Sequence, residues 1–378
     1  MRFHWFLPTS GDGRAITGGG RGLQRGHGRP DDVPYRPPSI DYLGQVAQAA
    51  ERLGFEAVLT PTGTWCEDAW LVAAALSQVT TRLKFLVAFR PGLMSPTLAA
   101  QMAATYQRIS GGRLLLNVVT GGEATEQRRF GDHLTKDERY ARTDEFLSIV
   151  RGAWAGPYDF KGRYYHVEGA TVAERPDPVP ELYFGGSSAA AGPVAARHVN
   201  VYLTWGEPPA QVAEKLAWIR SLAEREGRTL RFGIRLHVIT RDTSKEAWDF
   251  AERLLERIDP KDIETARAIL GESESVGQQR MLALNAGFHG GSARDLEVYP
   301  GLWAGVGLVR SGAGTALVGS HAEVADLIEE YASLGIEEFV LSGYPHLEEA
   351  YWFAEGVLPE LRRRGRIKAA EEALPLSA

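Results

Sequence analysis

The stretch "FHWFLPTSGDG", residues 3–13, decides the fold. It is an apolar run that stops in glycines and continues as "RAITGGGRGLQRGHGRP", residues 14–30. A strand that runs into glycines opens either a dinucleotide-binding sheet or the first unit of a barrel. The dinucleotide fingerprint needs its glycines to start a helix directly, with an acidic residue ~20 positions on. Here the next helical pattern begins only near Ser39, after Pro30, Pro34, Pro37 and Pro38, and no Lys-Ser/Thr pair follows the glycines. The stretch therefore reads as a first strand with a long first βα loop and no phosphate duty. In a barrel that loop lies on the C-terminal rim, where active sites form.

Working outward, short apolar runs alternate with longer amphipathic segments. The strand candidates are 3–8, 57–61, 84–89, 114–120, 182–186, 201–206, 232–239 and 338–345. Most are nearly unbroken apolar runs, as strands buried on both faces require. Helical spacing fills the gaps, beginning with "SIDYLGQVAQAAERLG", where Ser39 and Gly54 suit the two caps. The pattern predicts a single α/β domain over 1–378, a (β/α)8 TIM barrel. An open doubly wound sheet is the alternative. Insertions are expected after strand four (about 156–180, with "YDFKGRYYHVEG") and after strand seven (about 258–320), followed by a C-terminal tail at about 366–378. A connection as long as 258–320 reads as a lid or a binding segment.

Composition narrows the partners. The formal net charge is −6, which leaves no basic footprint for nucleic acid or an anionic membrane. No apolar stretch approaches the ~20 residues of a membrane span. A single cysteine, Cys66, forbids an intrachain disulfide, and the absence of an apolar leader suggests a cytoplasmic protein. An anionic substrate would need a local cluster of cations.

Such a cluster is visible at the strand ends. Arg235 and His237 are two apart in "GIRLHVI" and so share a face. A buried Arg is costly unless paired, so Arg235 is either a structural residue with a carboxylate partner or an anion ligand. Tyr344 and His346 repeat the spacing in "SGYPHLEEAY", and Trp205 ends strand six. Arg310 sits among glycines in "LWAGVGLVRSGAGTALVG", where a lid could carry it inward; a plain surface Arg is the alternative. Arginines, histidines and tyrosine together suit a compact oxyanion and would repel a metal cation. "LYFGGSS" offers Ser187 and Ser188 at the start of a helix, a phosphate site in kind. Asn117 and Thr120 end strand four. In "PTGTWCEDAW", Thr64 and Glu67 match a capping box, which would put Cys66 in a first helical turn with a lowered thiol pKa; packing of a small residue is the alternative.

These segments, with "LNVVTGG", "YLTWGEPP" and "SVGQQRM", resemble the flavin-dependent alkanesulfonate monooxygenases of the bacterial luciferase-like superfamily, over roughly residues 3–355. The resemblance implies a two-component enzyme. A separate NAD(P)H-dependent flavin reductase supplies reduced FMN (FMNH2), O2 is the co-substrate, and the C–S bond of a sulfonate is cleaved to an aldehyde and sulfite. It implies that Arg235, His237, Trp205, Tyr344 and His346 hold the sulfonate and the reacting oxygens. Arg310 would close with the lid and stabilise developing negative charge, and Cys66 would lie near the flavin edge. Asn117, Thr120, Arg139, Tyr140, Ser187 and Ser188 would contact FMN. The family also implies a homodimer or homotetramer. This chain has Ser10 where these enzymes usually read His in Pro-Thr-His-Gly-Asp-Gly, and its loop 14–38 is longer. A small hydroxyl at residue 10 would enlarge the substrate pocket and suit a bulkier or hydroxylated sulfonate. Ordinary alkanesulfonates and a sulfosugar such as sulfoquinovose both stay open, as does a luciferase-like enzyme acting on a non-sulfonate such as a sulfone.

Overall fold

The computed structural model describes residues 1–16 and 34–367, together with the backbone of 18–20 and 23–27. Part of the 14–38 loop and most of the 366–378 tail lie outside the described residues. Eight parallel strands form a closed barrel: β1 (Arg2–Phe6), β2 (Ala57–Thr60), β3 (Lys84–Phe89), β4 (Leu114–Val118), β5 (Glu181–Phe184), β6 (Val201–Trp205), β7 (Arg231–Arg241) and β8 (Ile336–Ser342). Each pairs with its successor in chain order, and β8 pairs back onto β1. This is the (β/α)8 TIM barrel, and the open sheet is excluded.

Alternation along each strand sorts the side chains. Phe6, Leu59, Leu86, Leu115, Tyr183, Leu203 and Val340 form one buried cluster inside the barrel. Trp5, Phe85, Phe184, Tyr202, Phe339 and their neighbours belong to the larger core, shared with helix residues such as Leu43 and Val46. At the N-terminal end of β1, His4 Nε2 lies 3.0 Å from Glu338 Oε2, and Tyr183 donates to the same carboxylate at 2.8 Å. The helix Ile40–Leu53 is capped as its sequence suggests, by the Ser39 hydroxyl and by Gly54 at φ 90°. No helix among the described residues is long and apolar enough to cross a membrane.

Two segments depart from the simple repeat. Tyr158–Lys161 and His166–Ala170 make an antiparallel hairpin between β4 and β5. Between β7 and β8 the chain builds the helices Ser244–Glu256, Pro260–Gly271 and Val276–Asn285, then a small antiparallel sheet. β7 carries this excursion. Its first half pairs with β6 on one side and β8 on the other; beyond the end of β6, His237–Arg241 pair with the strand Ala316–Ser320. β8 stops at Ser342, so Gly343, Tyr344 and Pro345 leave the ladder and belong to the rim.

Candidate active site

The C-terminal ends of the strands surround a cavity with two joined compartments. The larger has an empty volume of about 1020 Å³ and the smaller about 690 Å³. Leu59, Asn117, Val119, Trp205 and Arg235 line both.

The smaller compartment is lined by Phe6, Trp65, Arg235, His237 and Arg310, with Thr62 and Ser311 at its polar edge. Two guanidiniums share the Phe6 ring: Arg235 lies 4.8 Å from its centroid and Arg310 5.7 Å. Arg310 also lies 5.7 Å from the centre of Tyr344. Neither arginine forms an ion pair with a carboxylate among the described residues. Arg235 instead donates to the carbonyls of Leu236 and Val340 and, at 2.8 Å, to Ser342 Oγ. Burial and the neighbouring Arg310 charge depress its pKa to about 9.

His237 is buried and held at both ring nitrogens. Nε2 lies 3.1 Å from the carbonyl oxygen of Ala313, and Ser342 Oγ lies 2.7 Å from Nδ1. Burial, Arg235 and Arg310 push its pKa well below the ordinary range, so the ring is neutral. A carbonyl can only accept, so Nε2 carries the proton and Nδ1 accepts from Ser342. The expectation that His237 offers a hydrogen-bond donor to substrate is corrected: that donor is spent on Ala313.

Tyr344 stacks on His237 with ring centroids 5.5 Å apart and meets His346 edge-on at 5.3 Å. The structure brings these three rings together. However, Tyr344 and His346 are fully buried and line neither compartment, so they stand behind Phe6 and Arg310 and do not form the pocket wall. His346 has a partner the sequence hid. Asp12, at the end of the opening stretch, accepts from the His346 amide at 2.8 Å and from Nδ1 at 2.9 Å. It also accepts from Tyr42 and from the Gly13 amide. Burial raises its pKa, but the His346 ring, through charge and hydrogen bond, together with Tyr42 and the Gly13 amide, holds the carboxyl below the usual range. With Nδ1–H donated to Asp12, Nε2 of His346 presents its lone pair, and it has no hydrogen-bond partner among the described residues. Burial and the two arginines lower the His346 pKa, and Asp12 partly offsets them.

The larger compartment gathers Asn117, Thr120, Tyr140, Ser187 and Ser188. Ser188 Oγ is buried without a hydrogen-bond partner among the described residues. The helix after it, Ala191–His198, starts three residues later than the sequence suggested and has no side-chain cap. Two lysines missing from the sequence reading also line this space, Lys136 and Lys215. Lys215 donates to Glu207 at 2.7 Å and to Thr204 at 3.0 Å, and Arg280 reaches the same buried carboxylate. The signal was present: Lys215 falls in the buried stripe Val212, Leu216, Ile219 of its helix. Gly277 and Met281, from "SVGQQRM", complete the wall.

Three expected residues are placed elsewhere. Arg139 does not line the cavity; it is a buried brace that donates to the carbonyls of Leu134 and Gly121 and pairs with Glu274. Ser10 lines neither compartment, and its carbonyl accepts from Tyr35 at 2.8 Å. Cys66 is not in a helical turn. The helix starts at Ala69, capped by Asp68, while the Thr64 amide donates to Glu126. The Cys66 thiol donates toward the carbonyls of Pro61 and Gly63 and faces a separate hollow with Glu67 and Glu123. Burial pushes its pKa up to about 12, the reverse of the activated thiol that the spacing suggested.

Solved structures with this fold include riboflavin lyase (RcaE), determined with modified FMN and riboflavin, at 24% identity over 99% of this chain and 94% of that one, with a TM-score of 0.78. Long-chain alkane monooxygenase (LadA) matches at 20% identity over 99% and 93%, TM-score 0.75. EDTA monooxygenase (EmoA) from Chelativorans sp. BNC1 matches at 20% identity over 97% and 95%, TM-score 0.71. The luciferase-like monooxygenase profile matches residues 1–338. Barrel, rim cavity and sequence profile agree, and the chain belongs to the luciferase-like monooxygenase family.

Proposed function

We propose that this protein is an FMNH2- and O2-dependent monooxygenase that cleaves the C–S bond of an organosulfonate, releasing sulfite and an aldehyde. A separate NAD(P)H-dependent reductase would supply the reduced flavin. The observation that carries the substrate class is the pair of buried guanidiniums, Arg235 and Arg310, facing one cavity with no carboxylate between them. Two buried charges without a carboxylate partner call for an anion, and a planar fork suits the oxygens of a sulfonate. A neutral sulfone would leave both charges unbalanced.

The larger compartment suits FMN. The orphaned Ser188 hydroxyl, Ser187 and Lys136 offer donors for a phosphate, and Tyr140, Trp205 and Met281 offer flat or soft apolar surface for a ring system. Bound reduced FMN supplies the electrons that activate O2. The protein's share is positioning. Arg235 and Arg310 grip the sulfonate, while Phe6, Leu59 and Trp65 exclude water from its carbon. Asn117, Thr62 and Ser311 add polar partners along the small compartment, which favour a hydroxylated sulfonate such as sulfoquinovose over a plain alkanesulfonate.

The test is sulfite release from a panel of alkanesulfonates and sulfosugars, given photoreduced FMN and O2. Sulfite from at least one member is the expected result. Oxygen consumption with a sulfone but with no sulfonate would overturn the substrate class.

A further inference from the structure

Ser342 is the last residue of β8 and is fully buried. It faces β7 in register with His237 and touches neither compartment of the cavity. Its hydroxyl joins two groups that do line the cavity: it accepts from Arg235 Nη2 at 2.8 Å and donates to His237 Nδ1 at 2.7 Å. The far nitrogen of the same imidazole donates to the carbonyl of Ala313 at 3.1 Å. Ala313 lies three residues beyond Arg310, in the glycine-flanked segment that brings the second guanidinium to the site. The same segment is also tied by the Gly312 amide to Gln278 at 3.0 Å, by the Gly307 amide to the Gly314 carbonyl at 2.8 Å, and, at its far end, by the His237 amide to the Thr315 carbonyl at 2.9 Å and the Thr315 hydroxyl to the Gly206 carbonyl at 2.7 Å.

The chain Arg235–Ser342–His237–Ala313 is directional. Arg235 cannot accept and the Ala313 carbonyl cannot donate, so every hydrogen in between is fixed. A hydroxyl that accepts from a guanidinium is a better donor on its other side, which strengthens the next bond in the row. We propose that Ser342 is a positioning residue that couples the anion-binding guanidinium of Arg235 to closure of the Arg310 segment. An anion that draws Arg235 into place also steadies the neutral tautomer of His237 that pins Ala313, so the two guanidiniums arrive together. The role of the anion rests on the sulfonate reading above; the clamp itself does not.

Hydrogen exchange on the intact protein separates the two. In Ser342→Ala without ligand, amides of 309–316 should exchange about tenfold faster than in the wild type, while the 158–170 hairpin is unchanged. Ser342→Cys keeps the volume and weakens the donor, and should give an intermediate rate. His237→Phe keeps the stack on Tyr344 but removes both bonds; it should release the segment as far as Ser342→Ala, and the double variant should go no further. Unchanged exchange in Ser342→Ala and Ser342→Cys, or additive effects in the double variant, would overturn the clamp. With inorganic sulfate as the probe and chloride at matched ionic strength as control, the wild-type segment should gain protection that Ser342→Ala does not. Equal protection of both proteins would overturn the coupling. Protection of neither, with the ligand-free difference intact, would leave the clamp standing and count against the anion site itself.

Discussion

Replacing Arg235 with Met should make the ligand-free protein more stable while abolishing its grip on an anion. The depressed Arg235 pKa gives the size of the effect. Burial and Arg310 lower it from 12.5 to about 9, and each unit is worth about 1.4 kcal/mol, so the folded state carries on the order of 5 kcal/mol of uncompensated charge. The sign follows from linkage. A depressed pKa penalises the fold at any pH below the folded value and relaxes only as the pH rises through it, so at pH 7 the whole penalty applies. Met keeps most of the volume and removes the charge. It also gives up the hydrogen bonds to Leu236, Val340 and Ser342, at about 1 kcal/mol each. The balance is a gain on the order of 2 kcal/mol, in line with buried charges that are replaced by apolar isosteres. Urea unfolding at pH 7 measures it directly. A second arm adds ethanesulfonate, which should stabilise the wild type by about 2.7 kcal/mol at a hundredfold excess over Kd and leave the variant unmoved. If Arg235→Met proves less stable than the wild type by 2 kcal/mol or more, the guanidinium is compensated in the fold and the argument for a waiting anion collapses.

Three further outcomes follow. In Asp12→Asn, the amide nitrogen must face either the Gly13 amide or the His346 amide, neither of which can reverse; the loss of about 1–3 kcal/mol should appear in urea unfolding, and wild-type stability would refute the four-bond account. Folded His237 resists protonation, so stability should fall by about 1.4 kcal/mol per unit as the pH drops below 6.5; His237→Phe should flatten that slope by about one proton, and an unaltered slope in the variant would contradict a neutral ring. The Cys66 thiol should react with iodoacetamide at pH 8 about 10³-fold more slowly than an unperturbed thiol, and ordinary reactivity would restore the activated reading.

The barrel was legible because its chemistry is local. Strands buried on both faces must be apolar, so β1 to β8 announce themselves as runs, and the ends misjudged were rim residues such as Tyr344 that leave the ladder beyond Ser342. Arg235 was legible for the same reason, as a charge interrupting such a run, whereas Arg310 was marked only as a charge among glycines. Asp12 and His346 were not paired by any local rule, because 334 positions separate them and only barrel closure brings β1 and β8 together. Ser342 is a small hydroxyl at a strand end, with no pattern to mark it. Cys66 was misread because two caps compete in "TWCEDAW", and Asp68 takes the helix while Glu126 occupies the Thr64 amide. Ser10 looked informative as a departure from a motif; the residue that matters in that motif is two positions on.

The eleven residues of β7 have a consequence for how this scaffold can be rebuilt. One strand serves two structures, with Arg231–Arg235 in the barrel wall against β6 and His237–Arg241 as the seam onto Ala316–Ser320. The 258–320 segment is thus not a cassette that can be exchanged at its ends. A chimera that takes this segment from a relative inherits a foreign edge against its own His237, and the mismatch falls at the imidazole that holds Ala313. Grafts with the crossover moved back to Gly233 should carry seam and clamp together.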